Sequence, residues 1–214
     1  MSVICPAILA ESKEQYREQM ERIAEFAERI QIDLTDGEFA KSPTVKPEDA
    51  WWPVGVKAEF HLMYRNPKKA LEVILEHRPN LAIVHAESDG NFLNIVGRLK
   101  ELGVKAGVAL LASTPVDGLL SSLENIDHVL IFSGNLGEFG GHADLGLLSK
   151  VEALKQHKPE LEIGWDGGIN DRNIAQLAGG GVDVFNVGGY IQTALDPQHA
   201  YKSLDRIAQE TGTT

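Results

Sequence analysis

The sequence predicts an α/β fold: a single (β/α)8 barrel of the TIM type covering residues 1–214. Short β-type runs alternate with amphipathic helical runs from end to end, which implies a parallel sheet covered by helices. Eight such units fit a chain of 214 residues, near the lower size limit of that barrel, and no linker or low-complexity segment divides them. A doubly wound open sheet is the alternative, but it rarely needs eight units. The 21 glycines gather at 134–146, 164–168 and 179–189, where the loops after the late strands fall.

The first strand is predicted at 3–9. Ser12 then opens a helix, with Gln15 completing a capping-box pattern and Tyr16, Met20, Ile23 and Ala27 on one face. The second strand is predicted at 30–34, and 35–55, with Gly37, Pro43, Pro47 and Pro53, reads as a long loop with at most a short helix at 47–51. Strand three is predicted at 56–63, and Asn66-Pro67 opens a helix that buries Leu71, Ile74 and Leu75. Strand four, at 81–85, leads to a helix with Phe92, Ile95, Val96 and Leu99 inward. Strand five, at 106–111, leads to a helix capped by Thr114-Pro115 that carries Leu119, Leu120 and Leu123. Strand six, at 128–132, precedes a helix with Leu147, Leu148, Val151 and Leu154. Strand seven, at 161–165, precedes a helix capped by Asn170 and ending at Gly179-Gly180-Gly181. Strand eight, at 182–187, precedes a last helix opened by Asp196-Pro197, with Ala200, Leu204 and Ile207 inward.

Composition narrows the function. Hydrophobic residues make up 43% and charged residues 24%, so the chain is neither disordered nor fibrous. A net charge of −11 argues against a broad nucleic-acid or anionic-membrane surface, though backbone amides can still bind a small phosphate. The lone Cys5 excludes an internal disulfide framework and a Cys-rich zinc site. No apolar run is long enough to span a membrane, and the first residues lack a basic lead and a long apolar stretch, so a cytoplasmic location is expected.

In such a barrel catalytic residues sit at the C-terminal ends of strands. Strand two offers Gln31, Asp33 and Thr35 on one side, because side chains alternate. An aspartate inside a parallel strand is disfavoured, so Asp33 is a candidate; its bland alternative is a cap on the following turn, and Asp36-Gly37 reads as turn chemistry. Strand three places Glu59 and His61 on one side, and strand four ends in His85-Ala86-Glu87. Asp166 ends strand seven, before Gly167 and Gly168. With the glycines after strands six to eight, these residues predict two carboxylates at one mouth beside a phosphate cradle of backbone amides. That combination suits proton removal and return at a carbon beside a carbonyl.

These residues resemble the ribulose-phosphate 3-epimerase family over almost the whole chain. CPAIL (5–9), QIDLTDGEF (31–39), HLM (61–63), His85-Ala86-Glu87, FGG (139–141) and DGGIN (166–170) are similar to its motifs, in order and spacing. The resemblance implies a barrel of the ribulose-phosphate-binding type that interconverts D-ribulose 5-phosphate and D-xylulose 5-phosphate. Asp33 and Asp166 would act as acid and base through an enediolate. A divalent metal (zinc, iron, manganese or magnesium) would be held by Asp33, His61, Asp166 and position 31. Gly140, Gly141, Gly167, Gly168, Gly188 and Gly189 would bind the substrate and its phosphate. A small phosphorylated sugar and assembly into a homo-oligomer are the expected partners.

The departures bear on function. Gln31 replaces a metal-ligand histidine, Ala7 an active-site serine, and Thr35 and Phe132 two methionines. Leu136 stands where the family has proline, Glu138 is inserted, and Gly189 replaces a serine. An amide oxygen is a harder, weaker donor than imidazole, which favours manganese or magnesium if Gln31 is a ligand. A non-catalytic or altered-specificity sugar-phosphate-binding barrel is the second reading, resting on Gln31 and Ala7. A related barrel lyase would need a lysine at a strand's C-terminal end, whereas Lys57 and Lys105 fall at strand starts.

Overall fold

A computed structural model describes residues 2–211. Eight parallel strands close into a barrel in chain order: β1 (Val3–Ile8), β2 (Arg29–Thr35), β3 (Lys57–Met63), β4 (Leu81–His85), β5 (Lys105–Leu111), β6 (His128–Phe132), β7 (Glu162–Asp166) and β8 (Val184–Val187). The helices are α1 (Lys13–Ile23), α2 (Lys68–His77), α3 (Phe92–Glu101), α4 (Asp117–Leu120), α5 (Leu148–His157), α6 (Ile174–Gly179), α7 (Gly189–Gln192) and α8 (Pro197–Thr211). The strands' outward residues, among them Ile32, Phe60, Trp165 and Phe185, are buried against the helices and form the main core.

Several boundaries move from their sequence positions. β2 is longer at both ends, and β7 extends to include Asp166. The helix after β5 shrinks to the four residues of α4 and a 3-10 turn at Leu123–Asn125. Asn170 does not cap α6; it folds its own turn by accepting from the Arg172 N–H at 2.9 Å, and α6 starts four residues later. The short α7 intervenes before the last helix, and in α8 Ala208 joins Ala200 and Leu204 as buried residues while Ile207 is half-buried against the core. In α1, Ser12 accepts from the Gln15 N–H as expected, but the Gln15 side chain accepts from Glu11 N–H, one residue earlier than a capping box requires. The 35–55 connection holds only a 3-10 turn at Pro47–Asp49, and within it Trp52 packs edge-on against Phe60 while Trp51 remains 44% exposed.

The barrel interior is divided in two. On the β4–β6 side Leu81, Ile83, Ala109 and Leu130 form a separate apolar cluster. On the other side the interior is polar. Arg29, at the start of β2, donates from Nε to Glu59 Oε2 at 2.6 Å and from both terminal nitrogens to Glu162, each at 2.9 Å. His128 Nδ1 lies 2.8 Å from Glu162 Oε1. Buried charges persist only when paired and hydrogen-bonded, and this floor meets that condition.

Arg29→Met would leave Glu59 as an unpaired buried carboxylate, with an expected loss of about 3–5 kcal/mol in denaturant unfolding. Burial opposes ionisation of Glu162, but His128 and Arg29 outweigh it and hold its pKa well below the usual range. As pH falls, the unfolded chain therefore takes up this proton before the folded chain does. The stability from this site is present above the ordinary glutamate range and is lost as pH falls toward the depressed folded value. Thermal melts at descending pH should show Glu162→Gln losing less stability than the wild type over that window.

Candidate active site

Strand alternation and barrel register bring four sequence-predicted residues together. Asp33 pairs in register with His61, and Gln31 with Glu59. Asp166, the last residue of β7, closes the group from across the mouth. His61 Nδ1 lies 2.8 Å from Asp33 Oδ1 and 3.6 Å from Asp166 Oδ2. One ligand atom each from Asp33, His61 and Asp166 falls within 4.8 Å of the others, a buried oxygen–nitrogen set that fits a divalent metal ion. Above it opens a cleft whose lining includes Ala7, Phe132, Phe139 and Asn186.

His61 is oriented by a relay. Its Nε2 is 2.9 Å from His85 Nε2, and His85 Nδ1 is 3.3 Å from Glu87 Oε2. Glu87 Oε1 is held by the Leu111 N–H at 2.9 Å. Glu87 can only accept when ionised, so His85 donates from Nδ1 and offers the lone pair of Nε2. His61 must then donate from Nε2, and in its neutral form this leaves the Nδ1 lone pair facing the aspartates, as a metal ligand requires. Burial pushes His85 down to a pKa of about 4, keeping it neutral. Burial opposes protonation of His61 as well, but the carboxylates of Asp33 and Asp166 outweigh it and raise its pKa. Burial, then the Asp33 charge, raises the pKa of Asp166.

Gln31 is in the site but turned away from a ligand's role. Its Nε2 donates to Asp33 Oδ1 at 2.9 Å and to Asp166 Oδ2 at 2.6 Å, and its oxygen accepts from Asn186 Nδ2 at 2.6 Å. The position expected to supply a fourth metal donor therefore presents N–H groups. Thr35 also leaves the site, because its hydroxyl donates to the Ser42 carbonyl in the long loop. Phe132 packs its ring against His61 and His85, at 5.7 and 5.8 Å between centroids. Cys5 lies beneath, its thiol 3.5 Å from Glu59 Oε1 and pushed up in pKa by burial.

Of the predicted glycines, Gly140, Gly167, Gly168, Gly188 and Gly189 line the cleft, and Gly141 adjoins it in sequence. Two have a structural reason to be glycine. Gly167 and Gly168 both have positive φ, and a Cβ on either would strike backbone, of Gly134 and Ala143 respectively. The loops after β6 and β7 are packed main chain against main chain, and the Gly168 N–H donates to the Gly140 carbonyl at 3.1 Å. Phe139 lies on Gly188, at the cleft. The polar residues that sequence reasoning did not assign, Arg29 and Asn186, share the inward parity of Gln31 and Cys5.

The sequence profile of the ribulose-phosphate 3 epimerase family matches residues 3–192. The chain belongs to that family. The Helicobacter pylori (strain ATCC 700392 / 26695) ribulose-phosphate 3-epimerase is 28% identical over 214 residues, covering 96% of this chain and 98% of its own. The Mycobacterium tuberculosis (strain H37Rv) ribulose-phosphate 3-epimerase is 30% identical, with 96% and 93% covered. Among solved structures, 3-keto-L-gulonate-6-phosphate decarboxylase from Vibrio cholerae superposes with a TM-score of 0.73 at 12% identity, covering 98% of both chains. The 3-hexulose-6-phosphate synthase from Salmonella typhimurium gives 0.67 at 14%, with 98% and 99% covered, and these two likenesses establish the barrel. Family membership and the buried Asp–His–Asp cluster support sugar-phosphate isomerase or epimerase chemistry. Among the described residues no lysine lines the cleft, and Lys57 and Lys105 sit exposed at strand starts. No helix among the described residues is long and apolar enough to cross a membrane.

His85→Phe removes the acceptor that fixes the His61 tautomer. Calorimetric titration with Mn²⁺ should show affinity falling by about 10- to 100-fold, with Asp33 and Asp166 unchanged.

Proposed function

We propose that this protein inverts C3 of a ketose phosphate, D-ribulose 5-phosphate or a close analogue, by two-aspartate acid/base chemistry. The observation that carries this reading is the pair Asp33 and Asp166, brought from β2 and β7 into one site with His61 beside both. Epimerisation needs one group to take the C3 proton from one face and another to return a proton to the opposite face. The raised pKa of Asp166 suits one of the two carboxylates to serve as the acid while the other serves as the base. The intermediate is an enediolate, and its negative charge requires stabilisation in a site shielded from water.

Asp33, His61 and Asp166 would hold the divalent metal. When bound, such an ion would supply Lewis-acid stabilisation of developing negative charge. His61 is kept in the required tautomer by His85. The phosphate would lie by Gly140, Gly167, Gly168, Gly188 and Gly189, bound through backbone amides, which an acidic chain can provide without cations. Since the Gly168 N–H already has the Gly140 carbonyl as partner, a phosphate seated there must displace that bond or use the neighbouring amides. Ala7, where the family has serine, gives the cleft wall no hydroxyl, and together with Gln31 this favours, as the second reading, a sugar-phosphate-binding barrel with altered specificity or no turnover.

In deuterium oxide, the protein with added Mn²⁺ or Mg²⁺ should place deuterium at C3 of ribulose 5-phosphate, read by NMR. Asp33→Asn and Asp166→Asn should each slow this by at least about 10²- to 10⁴-fold. Binding of the sugar phosphate with no exchange under manganese, magnesium, zinc or iron would leave the second reading in place.

A further inference from the structure

The amide of Gln31 can be read only one way round. If it were turned over, its oxygen would face carboxylate oxygens of Asp33 and Asp166 at 2.9 and 2.6 Å, and its nitrogen would face the Asn186 nitrogen. Both contacts would be repulsive. Asn186 cannot turn to compensate, because the same Nδ2 also donates to Glu59 Oε1 at 2.8 Å. Glu59 is fixed in turn: its other oxygen takes the Arg29 Nε at 2.6 Å, and Arg29 is a donor only. The Asn186 oxygen is buried and has no partner among the described residues, so the acceptors alone set the amide's orientation. Four links, Arg29 to Glu59, Asn186 to Glu59, Asn186 to Gln31 and Gln31 to the aspartates, admit one assignment of donors and acceptors.

We propose that Asn186, fixed by Glu59 and Arg29, is a positioning residue that holds Gln31 as a bridging hydrogen-bond donor between Asp33 and Asp166, so that the metal takes three protein donors and not four. Each carboxylate has about four lone-pair sites, so one on each can accept from Gln31 while others face the metal. Gln31 is then a neutral clamp that keeps the two proton-transfer groups together. The proposal deepens the epimerase reading of this site and rests on it for its kinetic meaning, but not for its test.

Two measurements decide it. Calorimetric titration with Mn²⁺ should show Gln31→Leu binding within about threefold of the wild type or more tightly, and Gln31→His tighter by about tenfold or more. Weakening of about tenfold or more in Gln31→Leu would make the amide oxygen a ligand and overturn the proposal. The second measurement uses the metal-free wild type and depends on no variant of Gln31 folding. NMR should find the Gln31 side-chain amide protons protected from exchange with water, and Asn186→Ala should abolish that protection. Exchange in the wild type as fast as that of an exposed glutamine overturns the proposal. A protected amide in a protein that exchanges no C3 deuterium supports the clamp and removes the epimerase reading.

Discussion

The polar half of this barrel depends on the ion pair between Arg29 and Glu59, with Glu162 as the second partner of the arginine. A guanidinium and a carboxylate taken out of water are tolerated only with nearly complete hydrogen bonding, and that requirement propagates upward. Glu59 has one oxygen committed to Arg29, and the other accepts from Asn186 at 2.8 Å and from the more distant Cys5 thiol. Asn186 thereby turns Gln31, and Gln31 turns its N–H groups on Asp33 and Asp166. The floor of the barrel thus sets the direction of the Gln31 side chain through Asn186.

The site is reached by two such relays, and they deliver opposite things. From β4, Glu87 and His85 deliver a lone pair on His61. From β8 and β3, Asn186 and Glu59 deliver a donor on Gln31. A metal needs lone pairs, and two close carboxylates need donors. The two relays serve both needs within one cluster.

The barrel and the aspartate pair were legible because they follow from rigid periodicities. Strand alternation puts Gln31, Asp33, Glu59 and His61 inside together, and the end of β7 puts Asp166 at the mouth. The direction of the Gln31 amide was not legible, since it depends on Asn186, 155 residues away, and on a register that only barrel closure creates. The fate of Thr35 was equally hidden: parity points it inward, but the Ser42 carbonyl draws its hydroxyl into the long loop. The helix expected after β5 is shorter in the structure because a run of leucines at helical spacing also satisfies two short turns. The glycine clusters were visible from the outset, but their packing reason is a contact between two loops far apart in sequence.

That contact has an evolutionary meaning. Gly167 and Gly168 are seated against the main chain of Gly134 and Ala143, so neither loop has room to gain a side chain there while the other stays as it is. Loop variation is the ordinary route by which barrels acquire new substrates. Along this seam that route is open only to paired changes. Divergence of the pocket falls to side chains that line it without belonging to the seam, such as Phe132 and Phe139.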